Sequence, residues 1–322
     1  MPVHNAAPFL HESVRSILDQ TFRDFELIVL ENGSSDGSGA ILRRFADQDP
    51  RIRLFEDPRP LGLVDSSNYV VQQATAPLVA RMDADDVCHP ERLEREVEVM
   101  QQEPDVVAVG TLSVGIDRHG RRVRPRDRWR LIHCSQVPFS HGSSLFRRDA
   151  FERIGGYRPG LLWRDLDLFL RLADQGRILI LPEALYTYRY NLSSTSLSYS
   201  PGEIARSTEL VLRSLAEKRA GRSHEHLTEL SPSEPGPEAV AVALRSQGAL
   251  RLWAGETPGV FGHLVRAEFR FNRTWLQTLV WAAWGSVSPR TLRLFLRALV
   301  RVRDALAGLR IEDGKAYEWR LG

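Results

Sequence analysis

Leu78-Val79-Ala80-Arg81-Met82-Asp83-Ala84-Asp85-Asp86 passes from apolar residues directly into three carboxylates. The apolar part reads as a buried strand over Leu78 to Met82, which places Asp83, Asp85 and Asp86 at its C-terminal end. Ligands of open α/β sheets bind at that edge. Three carboxylates so close repel one another, and ionising all of them raises at least one pKa. A hard divalent cation removes the conflict and can also grip phosphate oxygens. The alternative, an acidic N-cap for the helix expected from Pro90, accounts for one aspartate but not for three.

Outward from this stretch, strand and helix signals alternate, as in an α/β chain with a mostly parallel sheet flanked by helices. Leu10, Val14, Ile17 and Leu18 share a helical face, and Phe25 to Leu30 is a short apolar strand. Glu31 to Gly37 is a turn-rich loop after that strand. Helices are expected over Ser38–Ala46 and Ser66–Ala74, with Ile52–Phe55 as a strand. Further on, Val106–Val109 and Ile178–Leu181 read as strands, Asp117–Gly120 as a hairpin turn, and Leu166–Asp174 as a helix. This second part is expected to add antiparallel strands.

The 322 residues suffice for one large domain and a smaller appendage. A net charge of +2 gives no argument for a nucleic-acid partner. Lys218 and Lys315 are the only lysines among 43 basic residues, a bias that fits a GC-rich genome. Cys88 and Cys134 have no metal-ligand spacing and are expected to be reduced thiols. With no signal peptide and no run of about 18 apolar residues, a cytoplasmic protein is expected, soluble or attached to a membrane surface. Residues 201–237 read as a helix and a Pro/Ser-rich linker, and 238–322 as a helical C-terminal region. Within it, 288–310 carries an apolar stripe with interleaved arginines, read either as peripheral contact with the inner face of the plasma membrane or as packing on the main domain.

Arg81 to Asp86, followed by His89-Pro90-Glu91-Arg92-Leu93, resembles the DXD region of family 2 glycosyltransferases. Further segments resemble the family in the same order: Pro2 to Ala6, Thr21 to Val29 leading into Glu31 to Ser38, Gly62-Leu63 with Asn68, Arg147-Arg148 to Tyr157, and Asp165 to Leu172. The resemblance covers residues 1–200 and implies a Rossmann-like GT-A fold with a helical C-terminal extension. It also implies inverting transfer from a UDP-, dTDP- or GDP-sugar to a hydroxyl of a glycan, lipid-linked or other acceptor, serving cell-surface polysaccharide or another glycoconjugate.

Residue by residue, the resemblance makes Asp85 the main ligand of Mg2+ or Mn2+. Asp83 would contact ribose or the metal's water, and Asp86 would support both. Pro2, His4, Asn5, Glu31, Asn32 and Asn68 would line the nucleotide side. His141 would lie near acceptor or diphosphate, or serve structurally. Asp165 would be the catalytic base, and a helix N-cap role for it is compatible. Trp163 would stack on a sugar or sit in the core, and Arg189 would pair with phosphate.

Four departures from the family pattern stand out. The chain starts inside the first strand, so either the start codon is placed late or the strand is short. Glu31-Asn32 replaces two aspartates. Arg164 replaces a glutamate and is expected to lower the pKa of Asp165. Asn191 replaces a histidine in a loop, Tyr188-Arg189-Tyr190-Asn191, that would close over the diphosphate. A silent nucleotide-sugar or glycan binder and a nucleotidyltransferase are the competing readings. The latter usually needs a Gly-rich basic loop, which His4 to Pro8 is not.

Overall fold

A computed structural model describes residues 1–124, 139–162, 164–191, 199–200, scattered positions between 203 and 222, and 317–318. Cys134, Trp163, the 231–237 linker, the 238–316 region and the basic segment 288–310 within it lie outside the described residues. The first half consists of β1 (Pro2–Val3), α1 (Ala7–Leu18), β2 (Leu27–Asn32), α2 (Ser38–Gln48), β3 (Ile52–Asp57) and α3 (Leu63–Gln72). Then come β4 (Leu78–Ala80), β5 (Val87–Cys88), α4 (Arg92–Gln102), β6 (Val106–Asp117) and β7 (Arg122–Arg124). The rest is β8 (Ser144–Arg147), α5 (Arg148–Arg153), α6 (Arg164–Leu172), β9 (Arg177–Tyr190) and β10 (Tyr317–Glu318).

Among the described residues, β1, β2 and β3 form a parallel sheet in that order. Every residue of β2 is buried, because helices cover both faces. Leu27 and Val29 meet α1 and α2 through Leu10, Val14, Leu42 and Phe45. Ile28 and Leu30, on the alternate face, meet Val70 of α3. This is why the strand reads as an unbroken apolar run.

The second sheet has the order β10-β9-β6-β8-β4, with β5 added to β9 and β7 to β6. It is mixed: β6 and β9 are parallel, whereas β8 runs antiparallel to both β6 and β4. One core joins Val97 and Met100 of α4 to Val106, Val109, Leu145 and Leu179. Another joins Phe151 of α5 and Leu166 and Phe169 of α6 to Phe146 and Ile180.

Three expectations are corrected here. The strand expected over Leu78–Met82 is β4 alone, half-buried at Leu78 and Val79 and exposed at Ala80. Arg81 and Met82 are the buried residues, and they lie beyond the strand in the turn into the acidic segment. α4 begins at Arg92 rather than Pro90, because the Arg92 N–H closes a turn on the His89 carbonyl at 3.0 Å. Tyr188 to Tyr190 belong to no loop: β9 continues for 14 residues, paired with β6 as far as Asp117↔Tyr190.

Behind the acidic segment lies a buried cation. Arg92, 1% exposed, donates to Glu96 at 3.2 Å, to the carbonyls of Arg81 at 3.0 Å and Ser144 at 3.2 Å, and stands 5.1 Å from the Tyr186 ring. It therefore ties α4 to both the end of β4 and the start of β8. Removing one member of such a pair leaves an uncompensated buried charge. Glu96→Ala is expected to cost about 3–5 kcal/mol in urea unfolding; a cost near zero would show that Arg92 needs no counterion.

Candidate functional site

β4, β6 and β9 run one way and β8 the other, so the ends of β4 and β9 share an edge with the start of β8. Asp83, Asp85 and Asp86 leave β4 at this edge, and β5 then pairs with β9 at Val87↔Thr187 and Cys88↔Tyr186. That pairing delivers the end of β9 to the carboxylates. The Arg189 N–H donates to Asp86 Oδ1 at 2.8 Å, and Arg189 Nε to the Asp85 carbonyl at 2.7 Å. Asn191 Nδ2 donates to Asp85 Oδ2 at 2.6 Å. From the other side, Ser13 of α1 donates its hydroxyl to the Asp83 carbonyl at 3.2 Å.

The three carboxylates differ in environment. Asp83 is 36% exposed in its side chain and takes Arg81 Nη2 at 3.2 Å. Burial, with the nearby charge of Asp83, pushes the Asp85 carboxyl up to about 6. Asp86 is fully buried and is pushed well up by burial and by both neighbouring aspartates. These are the conflicts a hard cation relieves, and the donors are all oxygen. Among the described residues no three His, Cys, Asp or Glu side chains form a closed metal cage. A cation beside Asp83 and Asp85 would therefore have to complete its shell with ligand oxygens. Asn191, already on Asp85, can turn its amide oxygen to the same place.

Arg189 is 3% exposed, and its guanidinium is engaged: Nη2 reaches Glu12 at 2.6 Å and the group lies 4.9 Å from the Phe9 ring. Its position ties Asp85 and Asp86 to Glu12 of α1. Glu12 had no signal in the sequence, being 177 residues away.

Asp165 is half-buried in the first turn of α6. Burial raises its pKa, Arg164 opposes the rise, and the charge of Asp83 adds to it. The lowering expected from Arg164 is thus present but outweighed by burial. Burial pushes the hydroxyl of Tyr157 up to about 12, with Arg81 and Arg164 opposing the rise and Asp83 and Asp165 adding to it. Tyr157 in turn meets His141 Nε2 at 2.6 Å. Burial, then Arg81 and Arg164, drives the pKa of His141 well down, so its ring is neutral. Arg81 is 3% exposed, its Nε and Nη1 find no acceptor, and its guanidinium stands 6.0 Å from the Tyr157 ring. Its place two residues before Asp83 was the only hint of a role.

The expected nucleotide-side residues are mostly bonded to backbone. Pro2 pairs with Leu30 in β1. His4 Nδ1 contacts the Asn32 carbonyl at 2.8 Å. Asn5, at φ +50°, accepts from the Ser35 N–H at 2.8 Å and meets His4 Nε2 at 3.0 Å. Glu31 accepts from the Ser34 N–H at 2.6 Å. Asn32 clamps Leu61 through both amide atoms, at 3.0 and 2.7 Å. Asn68 clamps Tyr157 likewise, at 3.0 and 2.9 Å. These bonds fix a loop wall at the ends of β1 and β2 and leave Asn32 and Asn68 structural work.

The fold is GT-A. Similar solved structures include the mannosyltransferase PcManGT of Pyrobaculum calidifontis in complex with GDP-Man and Mn2+ (TM-score 0.56, 20% identity, 96% of this chain and 86% of that one). They also include Staphylococcus aureus TarS 1–349 with UDP (TM-score 0.52, 14% identity, 85% of this chain and 91% of that one). Residues 1–155 match the model of glycosyl transferase family 2. The chain is 34% identical to EpsE of Bacillus subtilis over 197 residues, 59% of this chain and 71% of EpsE. It is 31% identical to the O-antigen biosynthesis glycosyltransferase WbnJ of Escherichia coli over 208 residues, 62% of this chain and 81% of WbnJ. The chain belongs to glycosyltransferase family 2.

One glycine shapes the site. A Cβ on Gly142 would overlap the Tyr186 hydroxyl and lie 3.0 Å from Asp83 Oδ2. Tyr186 is buried beside Arg92 and cannot swing clear. Gly142→Ala is therefore expected to displace Asp83 and cut transferase activity by about 10²-fold, as misplacements near 1 Å do. An unchanged kcat with an unchanged melting temperature would show that the contact does not set the site.

Proposed function

We propose that the chain is an inverting, metal-dependent glycosyltransferase that moves a sugar from a nucleoside-diphosphate sugar to an acceptor hydroxyl. The observation that carries this reading is the acidic segment at the end of β4, where Asn191 holds Asp85 at 2.6 Å and the Arg189 N–H holds Asp86 at 2.8 Å, in a chain of family 2. Asp165 accepts the acceptor hydroxyl's proton as its oxygen attacks the anomeric carbon. The bond from that carbon to the diphosphate oxygen breaks on the opposite face, and its electron pair leaves with the diphosphate. Asp83 and Asp85 hold Mg2+ or Mn2+, whose contribution is to neutralise the departing diphosphate. Asn191 and the Arg189–Glu12 pair keep Asp85 aimed. The loop wall of His4, Asn5 and Glu31 receives the nucleotide, and the base is uracil, thymine or guanine.

Similarity to WbnJ and to the amylovoran biosynthesis glycosyltransferase AmsE of Erwinia amylovora (28% identity, 66% of this chain and 82% of AmsE) favours a role in polysaccharide assembly, with a glycan or lipid-linked acceptor. No described helix is long and apolar enough to cross a membrane, and assembly at the inner face of the plasma membrane would use peripheral contact.

Turnover of UDP-, dTDP- and GDP-sugars with Mn2+ tests the reading. EDTA and Asp85→Ala are each expected to abolish it, and Asp165→Asn to lower it by about 10²–10⁴-fold. Turnover insensitive to all three would exclude it. The ionised base is the active form, so activity falls as pH drops through the raised pKa of Asp165. Because Arg164 holds that pKa down against burial, Arg164→Gln is expected to move the acid limb to higher pH. An acid limb that stays in place, or moves lower, would separate Asp165 from the proton transfer.

A further inference from the structure

Away from the site, α4 and β9 border a groove of about 620 Å3. Val97 and Leu185, both buried, and half-buried Phe22 give it an apolar floor. Glu91, Glu94 and Glu98 line it from the α4 side and Glu183 from β9. Arg95 is the single cation in this lining, pairing with Glu98 at 3.0 Å and Glu183 at 3.3 Å. Four carboxylates against one guanidinium leave a net charge of −3. The second oxygen of Glu183, Oε2, is buried and meets no donor.

The chain returns to this place. β10 pairs with β9 at Tyr317↔Ile180 and Glu318↔Leu179, antiparallel, while β5 pairs further along at Tyr186 and Thr187. Glu183 and Leu185 lie on the stretch between the two. Since β10 is antiparallel to β9, its Tyr317 end faces the Leu181–Leu185 side. Arg310 is seven residues before Tyr317, so the end of segment 288–310 lies within about 25 Å of Tyr317, beside the stretch of β9 that borders the groove.

That segment has the matching chemistry. Its six arginines and one aspartate give +5. Arg293, Arg297 and Arg301 recur every fourth residue, as do Glu94 and Glu98 on α4, and Leu292, Phe295, Leu296 and Leu299 supply an apolar stripe. We propose that residues 288–310 dock in the α4–β9 groove, with the stripe on Phe22, Val97 and Leu185 and the arginines on the glutamates. The C-terminal region is thereby bound to the catalytic domain at two neighbouring places, the groove and β10.

Full-length protein carrying Cys134→Ser and Glu98→Cys, combined in turn with Arg293→Cys, Arg297→Cys or Arg301→Cys, is treated with a short bismaleimide. At least one pair should crosslink within the chain about tenfold faster than an Arg43→Cys control on α2, because docking raises the effective concentration. Glu91→Arg with Glu94→Arg should slow that reaction. If Glu98→Cys prevents folding, Gln101→Cys, which also lines the groove, takes its place. Rates equal to the control for every pair, or crosslinks only between chains, would overturn the proposal. So would crosslinking abolished by phosphatidylglycerol vesicles that pellet the protein, since the segment would then prefer the membrane.

Discussion

Three carboxylates within four residues repel one another, and the polar architecture around Asp83–Asp86 is arranged to keep them in place. A donor reaches each of them: the Asn191 amide reaches Asp85, the Arg189 N–H reaches Asp86, and Arg81 reaches Asp83. Burial still drives Asp85 and Asp86 above the usual carboxylate range. The donors fix geometry without cancelling the charge, which is the condition in which an added cation stabilises the segment most.

The same constraint explains why buried arginines recur. Arg92 braces the segment from behind, Arg189 ties it to Glu12 of α1, and Arg171 binds Asp167 at 2.6 Å and the Gly156 carbonyl at 2.8 Å, fixing α6 and so Asp165 against the Gly155–Gly156 turn. Gly156, at φ +71°, permits that turn, and its missing Cβ leaves room for Asn68. A planar fork of donors can serve several carbonyls and a carboxylate at once, which a lysine cannot. The bias of 41 arginines to two lysines therefore has structural use here, whatever its origin.

Much of this was legible in the residues. β2 and the faces of α1 follow apolar periodicity, and the acidic cluster announces itself locally. The extent of β9 was not legible, because Pro182 and Glu183 interrupt its apolar run and β6 supplies the pairing that carries the strand past them. The end of β4 was misread because Met82 is buried by packing against α1 rather than within a strand, while the Arg81 N–H still bonds to the Ser144 carbonyl of β8 at 2.8 Å. Roles were harder than types. Arg189 looked like a phosphate donor, but its partner Glu12 is remote in sequence, and the clamps made by Asn32 and Asn68 depend on loops that no local pattern reveals. Asp165 as the base came from resemblance alone; 82 residues separate it from Asp83, whose charge adds to the rise of its pKa.

The central claim is that the acidic segment holds a cation together with a nucleoside diphosphate. Thermal unfolding with Mn2+, with UDP, dTDP or GDP, and with both, reads this directly, since ligands that bind the native state raise its stability. The account predicts that one nucleotide with Mn2+ raises the melting temperature by more than the two separate shifts combined, and that Asp85→Asn loses this excess. Additive shifts in the unsubstituted protein, or an undiminished excess in Asp85→Asn, would contradict it.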